Sequence, residues 1–223
     1  MESGFSIGIT TYKYRLDKFL TPLIHKIRQY RDDEIILAVN GEYKEPFDNL
    51  YRQKVLDLCA GYSDVFPFIY PNFRSLAKMW NTIIINASNK YVLVLNDDIT
   101  IDSSDFFDKV LYEINRIQNH FTIGYSYSHF VIRKDVMTPM DWFDERFLGI
   151  GCEDHDARRR NIIRNNSQLS GITNHDDKDH PVSNQKIENG KYSQFNRTFL
   201  YKELPPEPQY VFENFYMENI DSL

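Results

Sequence analysis

The sequence has few cysteines and no long hydrophobic run. Its two cysteines, Cys59 and Cys152, have neither the spacing of metal ligands nor the pattern of a disulfide framework, so we expect a reducing, cytoplasmic location. No apolar stretch approaches the roughly 20 residues of a membrane-spanning helix. Residues 1–10 also lack the basic and apolar regions of a signal peptide. Peripheral association with the inner face of a membrane is compatible with these absences.

An excess of positive charge is absent as well. The formal net charge is −6 and the sequence pI is about 5.5, which argues against a protein that binds nucleic acid by neutralising phosphates. The basic stretch at 158–166 is short, and a solvated helix face explains it equally well. Neither GxGxxG nor GxxxxGK(S/T) occurs, which disfavours a dinucleotide cofactor and P-loop ATP chemistry. A nucleotide can still bind through side chains and a metal ion.

Apolar runs that are typical of buried strands alternate with helical patterns in the first half of the chain. The predicted strands occupy 5–10, 34–39, 67–70 and 91–95. Apolar residues at helical spacing predict helices near 16–27, 48–60, 76–87 and 107–117. This order predicts an α/β fold with a mostly parallel sheet that is flanked by helices on both faces.

The second half of the chain follows a different pattern. The aromatic-rich stretch 121–136 predicts one or two strands, and a polar helix follows the glycines at 149 and 151. After residue 165 the chain is polar. We predict a single domain over 1–203 and a proline-containing surface extension over 204–223.

Polar residues follow three of the predicted strands. Ligands of open α/β sheets bind beyond the carboxyl ends of the strands, so Thr11, Asn40 and the run Asn96-Asp97-Asp98 are expected to be neighbours. Two adjacent carboxylates at the end of a buried strand repel each other and resist leaving water. Either a hard cation such as Mg²⁺ or Mn²⁺ compensates them, or the three residues form a simple turn. The residues alone leave both interpretations open.

Two further stretches carry candidate functional residues. In "GIGCEDHDARRR" (149–160), Glu153, Asp154 and Asp156 fall in the first turn of a helix, where the helix dipole favours carboxylates. The alternative is a general base beside a bound hydroxyl group, for which the glycines leave room. In "NHDDKDHP" (174–181), His175 and His180 are either surface residues or ligands of a transition metal.

These stretches resemble, in order and spacing, the GT-A glycosyltransferases, specifically the family-2-type and β-1,4-galactosyltransferase-like enzymes. "SIGITTYKYR" is similar to their opening strand and donor loop, and "RSLAKMWNTIIINASNKYVLVLNDDITI" to the helix and strand that lead to their DxD motif. "FDERFLGIGCEDHDARRR" resembles their glycine-rich Glu-Asp motif, and the stretch 172–203 resembles the segment with a histidine ligand. The resemblance covers roughly residues 5–203. Asn96 at the first DxD position, Cys152 in place of a common glycine, and the absence of the motif's usual Trp depart from the pattern.

The resemblance implies roles for individual residues. It implies a GT-A (Rossmann-like) fold with a C-terminal extension on the acceptor side, and an Mn²⁺ or Mg²⁺ ion held by Asp98 and by His175 rather than His180. It implies Asp154 as the catalytic base and Glu153 as a residue that helps to bind a sugar. The residues implied to contact the nucleotide sugar are Thr11, Tyr12, Asn40, Lys78, Asn81 and Asp97.

The reaction implied by the resemblance is a metal-dependent, inverting transfer of a sugar to a glycan hydroxyl. UDP is the implied nucleotide, with UDP-Gal and UDP-GalNAc as the first donors to test. The implied acceptor belongs to a surface polysaccharide or a lipid-linked oligosaccharide. Two alternatives are kept. One is a sugar-nucleotide nucleotidyltransferase, which usually has a glycine-rich loop that is absent near the first strand here, and the other is an inactive nucleotide- or saccharide-binding module.

Overall fold

The computed structural model describes residues 4–42, 46–124, 127–137, 142–160, 165–175 and 195–197. The predicted extension at 204–223 and His180 lie outside the described residues. The strands are β1 (Ser6–Thr11), β2 (Ile35–Val39), β3 (Val65–Ile69), β4 (Tyr91–Asn96), β5 (Ile99–Ile101), β6 (Phe121–Ile123), β7 (Phe130–Arg133), β8 (Asn165–Ser167) and β9 (Ile172–Asn174). The α-helices are α1 (Thr21–Arg28), α2 (Asn49–Ala60), α3 (Leu76–Asn86), α4 (Asp105–Ile117) and α5 (Glu153–Arg159).

Four parallel strands form one half of the main sheet, whose order is β3-β2-β1-β4-β7-β6-β8. β1 lies between β2 and β4 and is parallel to both, and β3 is parallel to β2. β7 runs antiparallel to β4 and to β6, and β8 is parallel to β6. The predicted α/β fold with a mostly parallel sheet is confirmed.

Each face of the main sheet has its own hydrophobic core. In β2, Ile35, Leu37 and Val39 belong to the core under α1, α2 and α4, whereas Ile36 and Ala38 belong to the core under α3. Strands that are covered on both faces consist of nearly continuous apolar residues. This is the physical reason why β1, β2 and β4 can be recognised in the sequence.

Helix α3 lies close to β1 at Gly8. A Cβ atom at this position would overlap the side chain of Ile83, so the missing side chain is what allows the close approach. The helix is capped by Ser75, whose hydroxyl oxygen accepts a hydrogen bond from the Lys78 backbone N–H at 3.2 Å. The cap satisfies one of the free backbone N–H groups in the first turn of α3.

Several elements differ from the sequence-based expectation. The third strand begins at Val65 rather than at 67, and the helix expected at 16–27 begins with a π-helical turn, Leu16–Leu20, before α1. β5 and β9 form a separate antiparallel pair that no local pattern predicts. Each of these two strands has three residues, and the partners are far apart in the chain, so neither carries a periodic signal of its own.

Within the described ranges, no helix combines the length and the apolar character needed to cross a lipid bilayer.

Candidate active site

The carboxyl ends of β1, β2 and β4 meet at one edge of the sheet. Parallel pairing sets Thr11 beside Val39 and Thr10 beside Asn96, and the Asn40 N–H donates to the Thr11 carbonyl at 2.8 Å. A cavity of about 160 Å³ opens at this edge. Its lining includes residues from all three strand ends: Thr11, Tyr12, Arg15, Asn40, Asn96 and Asp98. The polar stretches that follow the three strands are therefore neighbours in space.

Asp97 is fully buried at this edge and is held by two donors. The Thr11 hydroxyl donates to one carboxylate oxygen at 2.6 Å, and Arg15 Nη1 donates to the other at 2.6 Å. Burial raises the pKa of Asp97 to about 6, against the opposing effects of the Arg15 charge and the Thr11 hydrogen bond. Because both oxygens are engaged, Asp97 is suited to fixing the shape of the cavity edge.

Arg15 is a site residue that the sequence patterns do not predict. Its Nη2 atom lies 3.2 Å from Asp98 Oδ2, so the guanidinium bridges the two adjacent carboxylates. The guanidinium also lies over the ring of Tyr12, with its carbon 5.1 Å from the ring centroid. An arginine from the segment after β1 thus compensates the paired charges after β4. This ion pair is compatible with both the metal-site and the simple-turn interpretations of 96–98.

A backbone hydrogen bond joins Asp98 and His175. The His175 N–H donates to the Asp98 carbonyl at 3.0 Å, while the His175 ring packs on Phe19 with its centroid 5.0 Å away. Its Nε2 atom lies 3.2 Å from the Thr100 hydroxyl oxygen. Among the described residues, no group of three or more His, Cys, Asp or Glu side chains is arranged to hold a metal ion. One carboxylate and one imidazole fit an Mn²⁺ or Mg²⁺ ion that completes its coordination with phosphate oxygens.

His129 connects the two chain segments that carry Asp98 and His175. This histidine is buried, and burial lowers the pKa of its imidazole. Its Nδ1 atom accepts a hydrogen bond from the Asn96 N–H at 3.4 Å, so Nε2 carries the proton of the neutral ring and donates to Asn174 Oδ1 at 2.9 Å. His129 therefore links the end of β4 to the end of β9. Nothing in its sequence context signals this role.

The glycine-rich loop before α5 turns sharply and reaches the cavity. Gly149, Gly151 and Cys152 all have positive φ angles of 59°, 125° and 72°. The Gly149 carbonyl accepts a hydrogen bond from the Leu76 N–H at 2.9 Å, which joins the loop to the start of α3. Ile150 lies in the cavity wall. The loop thus places the acidic start of α5 near the edge of the sheet.

The three carboxylates of α5 have different surroundings. Glu153 is buried and accepts a hydrogen bond from the Gly151 N–H at 2.6 Å, so it stabilises the loop. Asp156 is buried and pairs with Arg160 at 2.6 Å. The Asp154 side chain is 31% exposed, with Arg158 at 4.0 Å. Asp154 is therefore the most exposed carboxylate of the three, and it is not among the residues that line the cavity at the strand ends.

Asn196 holds the same loop from a distant part of the chain. It is fully buried, and its Oδ1 atom accepts a hydrogen bond from the Leu148 N–H at 2.8 Å. Its Nδ2 atom donates to the carbonyls of Leu148 and Gly151, both at 2.8 Å. A single amide thus satisfies three backbone groups of a loop that has no regular hydrogen-bonding pattern.

Replacing Asn196 with Ala is expected to loosen the glycine-rich loop. The change leaves up to three backbone groups without a partner, each costing roughly 1–3 kcal/mol if it stays buried. Hydrogen exchange should show faster exchange of the amides at 148–152. The control is Asn86→Ala, because Asn86 is exposed and its amide donates to the Thr82 carbonyl on the same helix. Unchanged exchange in the Asn196 variant would contradict the proposed clamp.

Lys78 and Asn81 do not line the cavity at the strand ends. They line a separate cavity of about 320 Å³ together with Trp142 and Glu145. Lys78 Nζ and Asn81 Nδ2 each lie 2.9 Å from Glu145, and the Asn81 amide also bonds to the backbone of Phe143. These two side chains connect α3 to the segment before the glycine-rich loop. Their contact with a donor stays a prediction.

Asn40 lines the cavity, but its amide is engaged elsewhere. Its Nδ2 atom donates to the Arg74 carbonyl at 2.9 Å, and its Oδ1 atom accepts from the Arg74 N–H at 2.7 Å. Asn40 therefore fixes the chain before α3 against the end of β2. Because both polar atoms of its side chain already bond to Arg74, the predicted contact of Asn40 with a nucleotide stays a prediction.

No protein-family model matches the sequence, and no curated protein sequence matches it. Solved structures do match. The mannosyltransferase PcManGT from Pyrobaculum calidifontis, in complex with GDP-Man and Mn²⁺, has a TM-score of 0.58 at 10% identity, with 73% of this chain and 53% of that chain covered. This chain therefore spans about half the length of that enzyme.

Two further glycosyltransferases have the same fold. The S. aureus TarS fragment in complex with UDP-GlcNAc has a TM-score of 0.59 at 13% identity, with 98% of this chain and 70% of that chain covered. A mutant Drosophila β-1,4-galactosyltransferase 7, in complex with manganese, UDP-Gal and xylobiose, has a TM-score of 0.51 at 14% identity, with 87% and 80% covered. At these identities the similarity establishes the fold, and the predicted GT-A architecture is confirmed.

Proposed function

We propose that this chain is a metal-dependent glycosyltransferase that moves a sugar from a nucleotide-diphosphate donor to a hydroxyl group of a glycan. The observation that carries the proposal is the position of Asp98 in a GT-A fold. It follows β4 and lines a cavity at the ends of β1, β2 and β4. The similar structures contain GDP-Man, UDP-GlcNAc or UDP-Gal, and UDP-sugars are therefore the first donors to test.

Asp98 and His175 are proposed to hold an Mn²⁺ or Mg²⁺ ion. Two of the similar structures contain manganese. The residues that carry the two proposed ligands are joined by the hydrogen bond from the His175 N–H to the Asp98 carbonyl, and carboxylate and imidazole groups both suit that ion. When bound, the ion would neutralise the negative charge that develops on the diphosphate leaving group. Thr11 and Arg15 hold Asp97, and His129 links the β4 and β9 ends, so the ligand-bearing backbone is already in place.

Asp154 is proposed to be the general base. Its partly exposed carboxylate would take the proton of the acceptor hydroxyl as that oxygen attacks the anomeric carbon from the face opposite the diphosphate. This geometry gives single displacement with inversion. Glu153, whose carboxylate is bonded to the Gly151 N–H, would act by positioning the loop beside the bound sugars.

The acceptor is proposed to be a growing glycan of a surface polysaccharide or a lipid-linked oligosaccharide. The resemblance of the glycine-rich Glu-Asp stretch to the family-2-type enzymes supports this class. A lipid-linked acceptor would bring the protein to the inner face of a membrane as a peripheral protein.

Calorimetric titration of UDP, with and without Mn²⁺, tests the proposal. We expect UDP binding that needs Mn²⁺ and that weakens at least about tenfold in Asp98→Ala, because the variant lacks the carboxylate ligand of the ion. The control is Asp135→Ala, which removes an exposed carboxylate that pairs with Arg133 on the surface. GDP is titrated in parallel. Tighter binding of GDP would leave the proposed mechanism unchanged and would identify GDP-sugars, instead of UDP-sugars, as the donors.

The chemical outcome separates the proposed activity from its alternatives. Incubation with UDP-sugars, Mn²⁺ and a glycan acceptor should release UDP as the sugar is transferred to the acceptor hydroxyl, and without an acceptor only slow hydrolysis by water should release it. Release of pyrophosphate from UTP and a sugar phosphate would instead identify a nucleotidyltransferase, and nucleotide binding without any turnover would identify a binding module. Absence of binding by UDP and GDP with either ion would overturn the proposal.

A further inference from the structure

The guanidinium of Arg15 contacts one carboxylate oxygen of Asp97 and one of Asp98, the residue that is proposed to hold the divalent cation. Arg15 Nη1 lies 2.6 Å from Asp97 Oδ1, and Nη2 lies 3.2 Å from Asp98 Oδ2. The three side chains are 11%, 0% and 17% exposed, so water screens these charges only in part. The bridge is therefore a strong local interaction and not a solvated surface pair.

The surrounding structure fixes Arg15 in this place. Its guanidinium carbon lies 5.1 Å from the centroid of the Tyr12 ring and 6.0 Å from that of the Phe19 ring. Phe19 belongs to the π-helical turn that follows, and the same ring packs on His175. Arg15 is thus coupled to both residues that are proposed to hold the ion, one by an ion pair and the other through Phe19.

The charges of the site predict how an ion and a nucleotide bind together. Asp97, Asp98 and Arg15 carry two negative charges and one positive charge. A divalent cation that binds alone must compete with Arg15 for Asp98 and is repelled by the nearby guanidinium. A nucleoside diphosphate offers phosphate oxygens to both the divalent cation and the Arg15 guanidinium. Its negative charge also reduces the repulsion between these two cations, so they no longer compete for the Asp98 carboxylate alone.

We propose that Arg15 is an internal counter-ion that makes the binding of the divalent cation depend on the nucleoside diphosphate. The inference rests on the proposed function of the same site. Arg15 acts as a positioning and selectivity residue: it keeps Asp98 partly occupied until the diphosphate arrives. Because coupling between two ligands is reciprocal, Mn²⁺ must strengthen UDP binding by the same factor by which UDP strengthens Mn²⁺ binding.

Titration of Mn²⁺, with free Mn²⁺ measured by electron paramagnetic resonance, tests this inference without an activity assay. For the wild type we expect Mn²⁺ to bind at least about tenfold more tightly with saturating UDP than alone. For Arg15→Gln we expect Mn²⁺ alone to bind about tenfold more tightly than it does to the wild type, with a smaller effect of UDP. Arg116→Gln is the matched control, because it removes an arginine that pairs with Glu113 on α4.

The outcomes separate the inference from the proposed function. Equal affinities of the wild type and Arg15→Gln for Mn²⁺ alone would overturn the role of Arg15, even where UDP and Mn²⁺ bind together. A wild type that binds neither ligand under any condition would overturn the proposed function itself. If Arg15→Gln fails to fold because the buried charge of Asp97 has lost its arginine partner, the double variant Arg15→Gln/Asp97→Asn is compared with Asp97→Asn. Equal Mn²⁺ affinities in that pair would also overturn the inference.

Discussion

Replacing Asp154 with Asn is expected to lower kcat for sugar transfer by roughly 10²–10⁴-fold, the usual contribution of a general base. The side chain keeps its size but becomes a neutral amide, which cannot accept the proton of the acceptor hydroxyl. The UDP affinity should stay within about twofold, since the expected ion ligands Asp98 and His175 are unchanged. Steady-state kinetics with a donor found in the UDP-sugar screen, together with a UDP titration, measure both quantities.

The matched comparison for Asp154 is Asp156→Asn on the same helix. Asp156 is buried and pairs with Arg159 and Arg160, so its replacement should lower the melting temperature. It should lower kcat less than Asp154→Asn does. A loss of activity in Asp154→Asn below about tenfold would contradict its role as the base. Equal losses of kcat in the two variants would point to a general effect on α5 instead.

Replacing Arg146 with Met is expected to lower the free energy of unfolding by about 3–5 kcal/mol. Arg146 and Asp144 form a pair in which both side chains are nearly fully buried, at 5% and 2% exposure. The guanidinium donates to Asp144 through Nε at 2.9 Å and through Nη2 at 2.6 Å. Removing one partner leaves a buried charge without compensation, which is costlier than the net value of the pair. Urea unfolding of the wild type and the variant measures the difference.

A double variant and a surface pair serve as controls for Arg146. Asp144→Asn/Arg146→Met removes both charges, so it should recover part of the loss. Lys54→Met breaks an exposed pair with Asp17, and it should change the free energy of unfolding by less than about 1 kcal/mol. A change in Arg146→Met as small as that of Lys54→Met would show that water reaches the Asp144 carboxylate.

Arg146 and the residues that bind the glycine-rich loop have a common structural role. The buried pair lies between Phe143, which Asn81 binds, and Leu148, which Asn196 binds. Three sets of side-chain hydrogen bonds therefore fix one irregular segment directly before Glu153 and Asp154. This is how a segment without regular secondary structure can hold a carboxylate in a defined place, which a general base requires.

The periodic elements and the polar residues after the strands were accessible from the sequence alone. β1, β2 and β4 are runs of apolar residues, as expected for strands that are covered on both faces. The alternation of strands and helices along the chain predicts that these strands pair in parallel. The neighbourhood of Thr11, Asn40 and Asp98 follows from parallel pairing, since strands of one direction end at one edge.

The contacts that organise the site were decided by the tertiary structure. Arg15 compensates Asp97 from 82 positions away, and Asn196 binds Leu148 from 48 positions away. Lys78 and Asn81 lie on α3, as the helical pattern predicts, yet their side chains turn to Glu145 and away from the strand ends. No local pattern encodes such pairs, because periodicity reports only which face of an element is buried.

The sequence by itself thus determined the α/β layers and which strand ends carry the acidic and polar groups, since burial on two faces and chain direction are properties of short segments. Only the tertiary structure decided which cation faces Asp97 and Asp98, which carboxylate of α5 is most exposed, and which amide holds the glycine-rich loop. These outcomes depend on distances between segments that are remote in the chain, and such distances exist only once the sheet and its helices have packed.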